Sequence, residues 1–251
     1  MTDQPLAGKT ALVTGSARNI GRATVHRLAD LGADIVVNAV GDLQAAETVA
    51  AEIRDKGRKA IACLADITDP GSVQEMVARA EAELGGVDIL VLNASSRGQV
   101  PFLELDYETF RRVIDISVDG AFHCAQACLP HMQKKGWGRI VTLGGIAWHV
   151  GMKDRVHSLI SKSALAGFTH GLAAEFAEDG VTVNCVSPGF IETARPASAG
   201  QLPQTKIDAF IPRKGTPEEV ASMVCYLCLP ESGYITGQIM HVNGGMYLGG
   251  S

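Results

Sequence analysis

Short apolar runs alternate with amphipathic stretches along nearly the whole of this 251-residue chain, and that alternation limits the folds it can adopt. Strands that are apolar at successive positions are typical of a parallel sheet, which helices cover on both faces. Strands that alternate with helices build a doubly wound α/β sheet. The apolar runs are residues 10–13, 34–37, 60–63, 89–92, 139–143, 181–186 and 239–242. We therefore predict one domain over residues 1–251 with a mainly parallel seven-stranded sheet.

Helical patterns fill most of the intervals between these runs. The clearest are residues 44–55, 72–84, 107–132 and 159–178. Residues 190–212 have no clear periodicity, and a long irregular stretch inside a compact domain is typical of a functional lid. We predict a substrate lid at about residues 190–212.

Composition argues against several classes of protein. The net charge is −5 and no segment concentrates Lys or Arg, so nucleic acid and membrane surfaces are not expected partners. No apolar stretch approaches the ~20 residues of a membrane span. The first ten residues lack the features of a secretion signal, so we expect a cytoplasmic protein.

The six cysteines lie in apolar surroundings, as reduced core residues do. Cys225 and Cys228 lack a second ligand pair, so no metal site is expected.

A glycine-containing turn follows the first predicted strand. Residues 14–21 read Thr-Gly-Ser-Ala-Arg-Asn-Ile-Gly, and a helical pattern follows them. Glycines at such a junction let backbone N–H groups approach a pyrophosphate at the helix N-terminus. This position predicts a dinucleotide site.

The turn resembles the Thr-Gly-x3-Gly-x-Gly turn of the short-chain dehydrogenase/reductase family, whose members have a Rossmann fold. Thr14, Gly15 and Gly21 match, and Asn19 replaces the middle glycine. Asn tolerates a left-handed backbone better than most residues, so we expect the turn to survive.

The resemblance continues along most of the chain. It implies that Asp66 contacts the adenine ring, that Asn93 and Ala94 close the fourth strand, and that the residues after the sixth strand hold the nicotinamide carboxamide. The implied cofactor-binding residues are Gly15, Ser16, Arg18, Asn19, Ile20, Gly21, Asn38, Asp66, Ile67, Asn93, Ala94, Lys162, Pro188, Gly189, Ile191 and Thr193.

The charged residues near the second strand indicate whether the chain binds NAD or NADP. Enzymes that use NAD usually place an acid at the end of this strand, to bind the ribose 2′-hydroxyl. Here the strand ends Val37-Asn38-Ala39, and the next acid is Asp42. Arg18 stands where similar NADP-dependent members carry a basic residue. We favour NADP over NAD, while Arg18 as a solvated turn residue is the alternative interpretation.

Three positions depart from the catalytic pattern of the family. Its members pair a proton-donating Tyr with a Lys four residues later, and add a Ser and an Asn. Lys162 matches, but Ser158 takes the place of the Tyr, Gly145 that of the Ser and Ser117 that of the Asn. A serine hydroxyl is a far weaker acid than a phenol, whose pKa is ~10.

Two kinds of group could replace the missing phenol. One is a histidine, since His157 and His149 flank the Ser158 position and imidazole titrates near neutral pH. The other is a water held by Ser158, Ser117 and Lys162.

These observations leave three functions open. The first is an NADP-dependent oxidoreductase that acts on a small carbonyl or alcohol substrate. The second is a lyase or isomerase on the same scaffold, and the third is a catalytically silent NADP-binding protein.

The family resemblance implies a homotetramer or homodimer, and apolar residues on several faces of the long helices agree with that. Those residues are Phe122, Cys128, Leu165, Phe168 and Leu172.

Overall fold

A computed structural model of the chain describes residues 4–96, 98–194 and 209–249. Within these residues, one sheet of seven parallel strands runs in the order β3-β2-β1-β4-β5-β6-β7. The strands are β1 Thr10–Val13, β2 Asp34–Ala39, β3 Ala60–Leu64, β4 Ile89–Leu92, β5 Gly138–Leu143, β6 Val181–Pro188 and β7 Ile239–Val242. The predicted doubly wound sheet is confirmed.

Helices cover both faces of the sheet. They are α1 Asn19–Asp30, α2 Leu43–Asp55, α3 Pro70–Leu84, α4 Tyr107–Ile114, α5 Gly120–Lys135, α6 Ala147–Val150, α7 Val156–Phe176 and α8 Pro217–Cys228. Four of them begin with a side chain that accepts hydrogen bonds from the first backbone N–H groups, which stabilises a helix start. These capping residues are Asp42, Asp69, Asp106 and Thr216.

Side chains of alternating strand residues enter two apolar layers. On one face Val13 packs with Val25 of α1 and Val224 of α8, and on the other Leu12 packs with Met76 of α3. All six cysteines are buried and unpaired, as predicted for core residues. Burial raises the pKa of the Cys228 thiol to about 12.

A π-helical turn interrupts the predicted helix over residues 107–132. Residues Asp115–Asp119 form this turn between α4 and α5. π-helical turns occur mostly as single turns within helices, often at functional sites. Its side chains, among them Ser117, therefore have a different direction from those of a regular helix.

The described ends of the predicted lid are attached to neighbouring loops. Phe190 accepts a hydrogen bond from the N–H of Gly215, and Glu192 donates one to the Gly215 carbonyl. Ile211 donates one to the carbonyl of Gly244. Residues 195–208 of the lid prediction lie outside the described residues. No helix in the described part of the chain is long and apolar enough to cross a membrane.

Candidate active site

The turn after β1 has the backbone that the glycine pattern predicts. Gly15 has a φ of +62° and Asn19 a φ of +52°, so both adopt the left-handed region. Asn is one of the few side-chain-bearing residues that enter this region readily. The middle position of the turn therefore keeps its conformation without a glycine.

Gly21 lets α1 approach the sheet closely. A Cβ atom on Gly21 would lie 2.7 Å from both the side-chain nitrogen of Asn93 and the carbonyl oxygen of Gly15. These distances are too short for any side chain. The start of α1 therefore lies directly against the turn, with its N-terminal N–H groups at the carboxyl end of the sheet.

Asn93 joins the turn to the end of β4. Its Nδ2 donates to the carbonyl oxygens of Thr14, over 2.8 Å, and Gly15, over 3.1 Å. In return, Thr14 Oγ1 accepts from the N–H groups of Asn93 and Ala94, each over 3.0 Å. Asn93 thus holds the turn in place and also lines the cleft beside it.

Asn38 and Ser16, which were predicted to bind the cofactor, support the turn from inside the protein through their side chains. Asn38 is 2% exposed; its Oδ1 accepts from the N–H of Gly15 over 3.0 Å, and its Nδ2 donates to Ala65 O over 3.0 Å. The buried hydroxyl of Ser16 accepts from the N–H of Asn38 over 3.1 Å. Both side chains are therefore occupied below the surface of the site.

Arg18 and Asp66 lie at the exposed rim of the turn. Arg18 occupies the N-cap position of α1, and the described residues include no ion-pair partner for it. Asp66 follows β3 and accepts two hydrogen bonds from Thr68 through Oδ1. Ile67 is buried against Gly120, so its backbone rather than its side chain faces the rim. Asp42 accepts from Ala45 N as the cap of α2.

An open cleft lies beyond the carboxyl ends of β4, β5 and β6. This is the edge at which open α/β sheets bind their ligands. The predicted nicotinamide residues line this cleft, and so do two of the five predicted catalytic residues, Ser158 and Lys162. The described lining residues are Ile20, Asn93, Ser95, Ser96, Leu143, Gly144, Gly145, Ile146, Ala147, Met152, Arg155, Ser158, Lys162, Pro188, Gly189, Phe190, Ile191 and Thr193.

Lys162 and Ser158 lie one turn apart on the cleft-facing side of α7. Lys162 Nζ donates to the carbonyl oxygen of Leu143 over 2.7 Å, which fixes the ammonium group beside the end of β5. A Cβ atom on Gly145 would contact nothing within 4 Å. The cleft therefore has room for a side chain at position 145.

His157 does not reach the cleft, although the sequence placed it there as a candidate proton donor. Consecutive residues of a helix point about 100° apart, and Ser158 takes the cleft-facing direction. The His157 side chain is 0% exposed and packs against Gly98. Burial, and then the charge of Arg155, lower its pKa. An enclosed imidazole with a lowered pKa argues against His157 as the acid.

His149 belongs to an aromatic cluster instead of the cleft wall. Its ring centroid lies 3.6 Å from that of Trp148, 4.7 Å from His241 and 4.4 Å from Tyr247. Burial, and then His241, lower the pKa of His149. The described residues that line the cleft do not include it, so this second candidate donor is also displaced.

Ser117 lies in the π-helical turn, which packs against α7. It is 3% exposed, and its hydroxyl has no hydrogen-bond partner among the described residues. Buried polar atoms of this kind commonly hold an ordered water.

Several residues of the cleft wall were not predicted from the sequence, among them Ser95, Ser96, Met152, Arg155 and Phe190. A signal existed for one of them. Arg155, Ser158 and Lys162 are spaced i, i+3, i+7, which places residues on one helix face.

Comparisons with known proteins agree with this architecture. A family model described as enoyl-(acyl carrier protein) reductase matches residues 15–247. The 3-oxoacyl-[acyl-carrier-protein] reductase of Vibrio cholerae is 36% identical to this chain over 97% of it and 99% of the reductase.

Two solved structures are similar throughout. A blue fluorescent protein from a metagenomic library, in complex with NADPH, has a TM-score of 0.91 and 36% identity, with 98% of this chain and 100% of that one covered. A short chain dehydrogenase from Burkholderia cenocepacia, in complex with NADP, has a TM-score of 0.89 and 34% identity, with 96% and 99% covered.

Proposed function

The chain belongs to the short-chain dehydrogenase/reductase family, and on this premise we propose that it is an NADP-dependent oxidoreductase of a small carbonyl or alcohol substrate. The observation that carries the proposal is that Lys162 and Ser158 line the same cleft as the segment that follows β6. Substrate and cofactor can then meet in one cleft.

The residues around the turn fit a dinucleotide. A left-handed Gly15 and the absence of a side chain at Gly21 leave backbone N–H groups accessible to a pyrophosphate. Arg18 would face a ribose 2′-phosphate, and Asp42 is engaged in capping α2. The complexes of the two similar structures with NADPH and NADP support the same choice.

NADPH, when bound, supplies a hydride to the carbonyl carbon of the substrate. The carbonyl oxygen must then receive a proton, which Ser158 is too weakly acidic to donate. We propose that a water held by Ser158 relays this proton from the Lys162 ammonium, and that the lysine then regains a proton from solvent. Ser117, packed behind α7 with a hydroxyl that has no partner among the described residues, would hold a second water.

One observation favours a second candidate function, a catalytically silent NADP-binding protein. The described residues that line the cleft include neither a Tyr nor a His, which are the usual proton donors. Such a protein would bind NADPH without oxidising it.

An assay of NADPH oxidation against a panel of ketones, run beside calorimetric titration of NADPH, separates these functions. We expect tight NADPH binding with turnover of at least one ketone. Lys162→Ala should lower kcat at least tenfold, since proton transfer typically contributes 10²–10⁴-fold. Lys153→Ala removes an exposed lysine outside the cleft wall and should leave kcat unchanged. NADPH binding without any turnover would favour the silent protein, and failure to bind NADPH would contradict both functions.

We also propose assembly into a homotetramer or homodimer. Phe122 of α5 is 48% exposed and Ile160 of α7 is 43% exposed, so each long helix presents apolar surface. Cys128 and Leu165, in contrast, are buried in the core. Light scattering after size exclusion measures the assembly, and a monomer at all concentrations would contradict it.

A further inference from the structure

Arg155 immediately precedes α7 and lines the cleft together with Ser158 and Lys162. Ser158 and Lys162 occupy positions of the family's catalytic pattern, whereas Arg155 does not. A guanidinium in the wall of a substrate cleft has a specific chemistry, since its planar fork matches a carboxylate or a phosphate in a bidentate manner.

The backbone before α7 directs Arg155 to this place. Asp154 adopts a left-handed conformation, with a φ of +61°, which is uncommon for a residue that has a side chain. Its carbonyl oxygen accepts a hydrogen bond from the N–H of Val100 over 2.8 Å, so the loop after β4 holds this conformation. Arg155 therefore begins α7 at a defined position.

An arginine at this position raises the local positive charge. Arg155 is the N-cap residue of α7, where no side chain caps the helix and the first turn has no acid. A helix N-terminus carries a partial positive charge, which disfavours a cation beside it. Bound anions offset such a charge.

The other charges of the cleft have the same sign. Among the described residues that line it, the charged side chains are Arg155 and Lys162, and none is acidic. The proposed function places Lys162 at the cofactor and the reacting oxygen. Arg155 belongs to the same cleft wall and is not among the residues that we propose for the cofactor.

We infer that Arg155 selects substrates that carry an anionic group, a carboxylate or a phosphate monoester, in addition to the reacting carbonyl or hydroxyl. The inference rests on the proposed function, because that function defines which part of the cleft the substrate occupies. The substrate class is then an oxo acid, a hydroxy acid or a phosphorylated ketone or alcohol.

Matched pairs of anionic and neutral ketones test this inference without turnover. Acetoacetate is compared with methyl acetoacetate, 2-oxobutanoate with methyl 2-oxobutanoate, and dihydroxyacetone phosphate with dihydroxyacetone. Each is titrated calorimetrically into protein saturated with NADP⁺, which cannot reduce a ketone. We expect the anionic member of at least one pair to bind about 10- to 100-fold more tightly, as for a hydrogen bond to a charged group. A preference within either oxo acid pair would indicate a site for a carboxylate, and a preference within the dihydroxyacetone pair would indicate a site for a phosphate.

Variants of Arg155 test whether this residue causes the preference for anionic ketones. Arg155→Gln should remove it and Arg155→Lys should retain part of it, with NADP⁺ affinity unchanged in both. Lys153→Gln removes an exposed positive charge two residues away and should leave the preference intact. Equal binding in every pair, or a preference that survives Arg155→Gln, would overturn the inference.

Titrations without NADP⁺ separate the two proposals. If the protein failed to bind NADP⁺, the proposed function would fall, while the preference and its dependence on Arg155 would still be measured on the protein alone. If NADP⁺ bound and no pair differed, the inference about Arg155 would fall and the proposed function would stand.

Discussion

The side-chain amide of Asn19 exchanges two hydrogen bonds with the backbone of Ala194. Its Nδ2 donates to the carbonyl oxygen over 3.1 Å, and its Oδ1 accepts from the N–H over 3.0 Å. Asn19 belongs to the turn after β1, and Ala194 follows Thr193 in the segment after β6. The residue that replaces a family glycine therefore joins two segments that we propose to bind the same cofactor.

Asn19→Gly should loosen this junction without disturbing the turn, because glycine adopts a positive φ freely. The two lost hydrogen bonds contribute about 0.5–1.5 kcal/mol each, so NADPH affinity should fall by at most about 5- to 160-fold. The amide of Ala194 should exchange with deuterium faster, as measured by mass spectrometry. Asn19→Asp keeps the acceptor for the Ala194 N–H, so the Ala194 amide should exchange at an intermediate rate. Unchanged exchange in Asn19→Gly would show that the two hydrogen bonds do not hold the segment.

Arg18 is expected to determine the choice of cofactor. A charge-assisted contact with a 2′-phosphate contributes about 1.5–3 kcal/mol, so NADPH should bind roughly 10- to 100-fold more tightly than NADH. Arg18→Ala should abolish most of this difference in calorimetric titrations. Arg22→Ala is the matched control, since Arg22 lies on the same helix and pairs with Glu52 over 2.8 Å. Equal affinity of the unmodified protein for NADPH and NADH would contradict the assignment.

The cleft should accept the missing catalytic side chains. Gly145→Ser introduces a Cβ with nothing within 4 Å, and the wall at Ser158 is open to the same cleft. The double variant Gly145→Ser with Ser158→Tyr should raise reduction of an activated ketone by up to about 10²–10⁴-fold, the usual contribution of a general acid. Gly145→Ser alone should leave the melting temperature and NADPH affinity unchanged. A double variant that binds NADPH and gains no activity would show that the cleft differs in more than these two residues.

His157 should make folding sensitive to acid. Its pKa is lowered in the folded protein by burial and by Arg155, whereas the unfolded chain has an ordinary imidazole with a pKa of about 6.5. The unfolded state therefore binds more protons, and the free energy of unfolding falls as the pH drops below about 6.5. Urea denaturation on both sides of that pH should show a smaller loss for His157→Gln than for the unmodified protein. His170→Gln, at an exposed position of α7, should behave like the unmodified protein. If His157→Gln lost as much stability on acidification as the unmodified protein, a lowered pKa of His157 would be ruled out.

The strands were predictable because apolar runs in a covered parallel sheet have few alternatives. β1, β4 and β7 begin and end where the sequence analysis put them, and β6 extends two residues further, to Pro188. The turn was predictable as well, since the left-handed conformation of Asn19 follows from the steric freedom of Asn. Local chemistry determined both features.

Features that depend on tertiary packing were not predictable. The π-helical turn at Asp115–Asp119 leaves no mark in the apolar spacing. Asn38 was predicted to bind the cofactor, yet its buried side-chain amide contacts the backbone of Gly15 and Ala65. The direction of His157 depended on which of two consecutive residues faces the cleft, and Ser158 does. Arg155 could have been found from its i, i+7 spacing to Lys162, although spacing alone does not show that this face lines a cleft.

Transfer of deuterium from labelled NADPH is the most direct test of the account. The protein is incubated with NADPH deuterated at both C4 positions of the nicotinamide and with the ketones that it binds, and the products are identified by mass spectrometry. Hydride transfer predicts an alcohol with one deuterium on the former carbonyl carbon. Lys162→Ala should form this product at least tenfold more slowly. Protein that binds NADPH and a ketone together but forms no deuterated alcohol would contradict the proposed oxidoreductase.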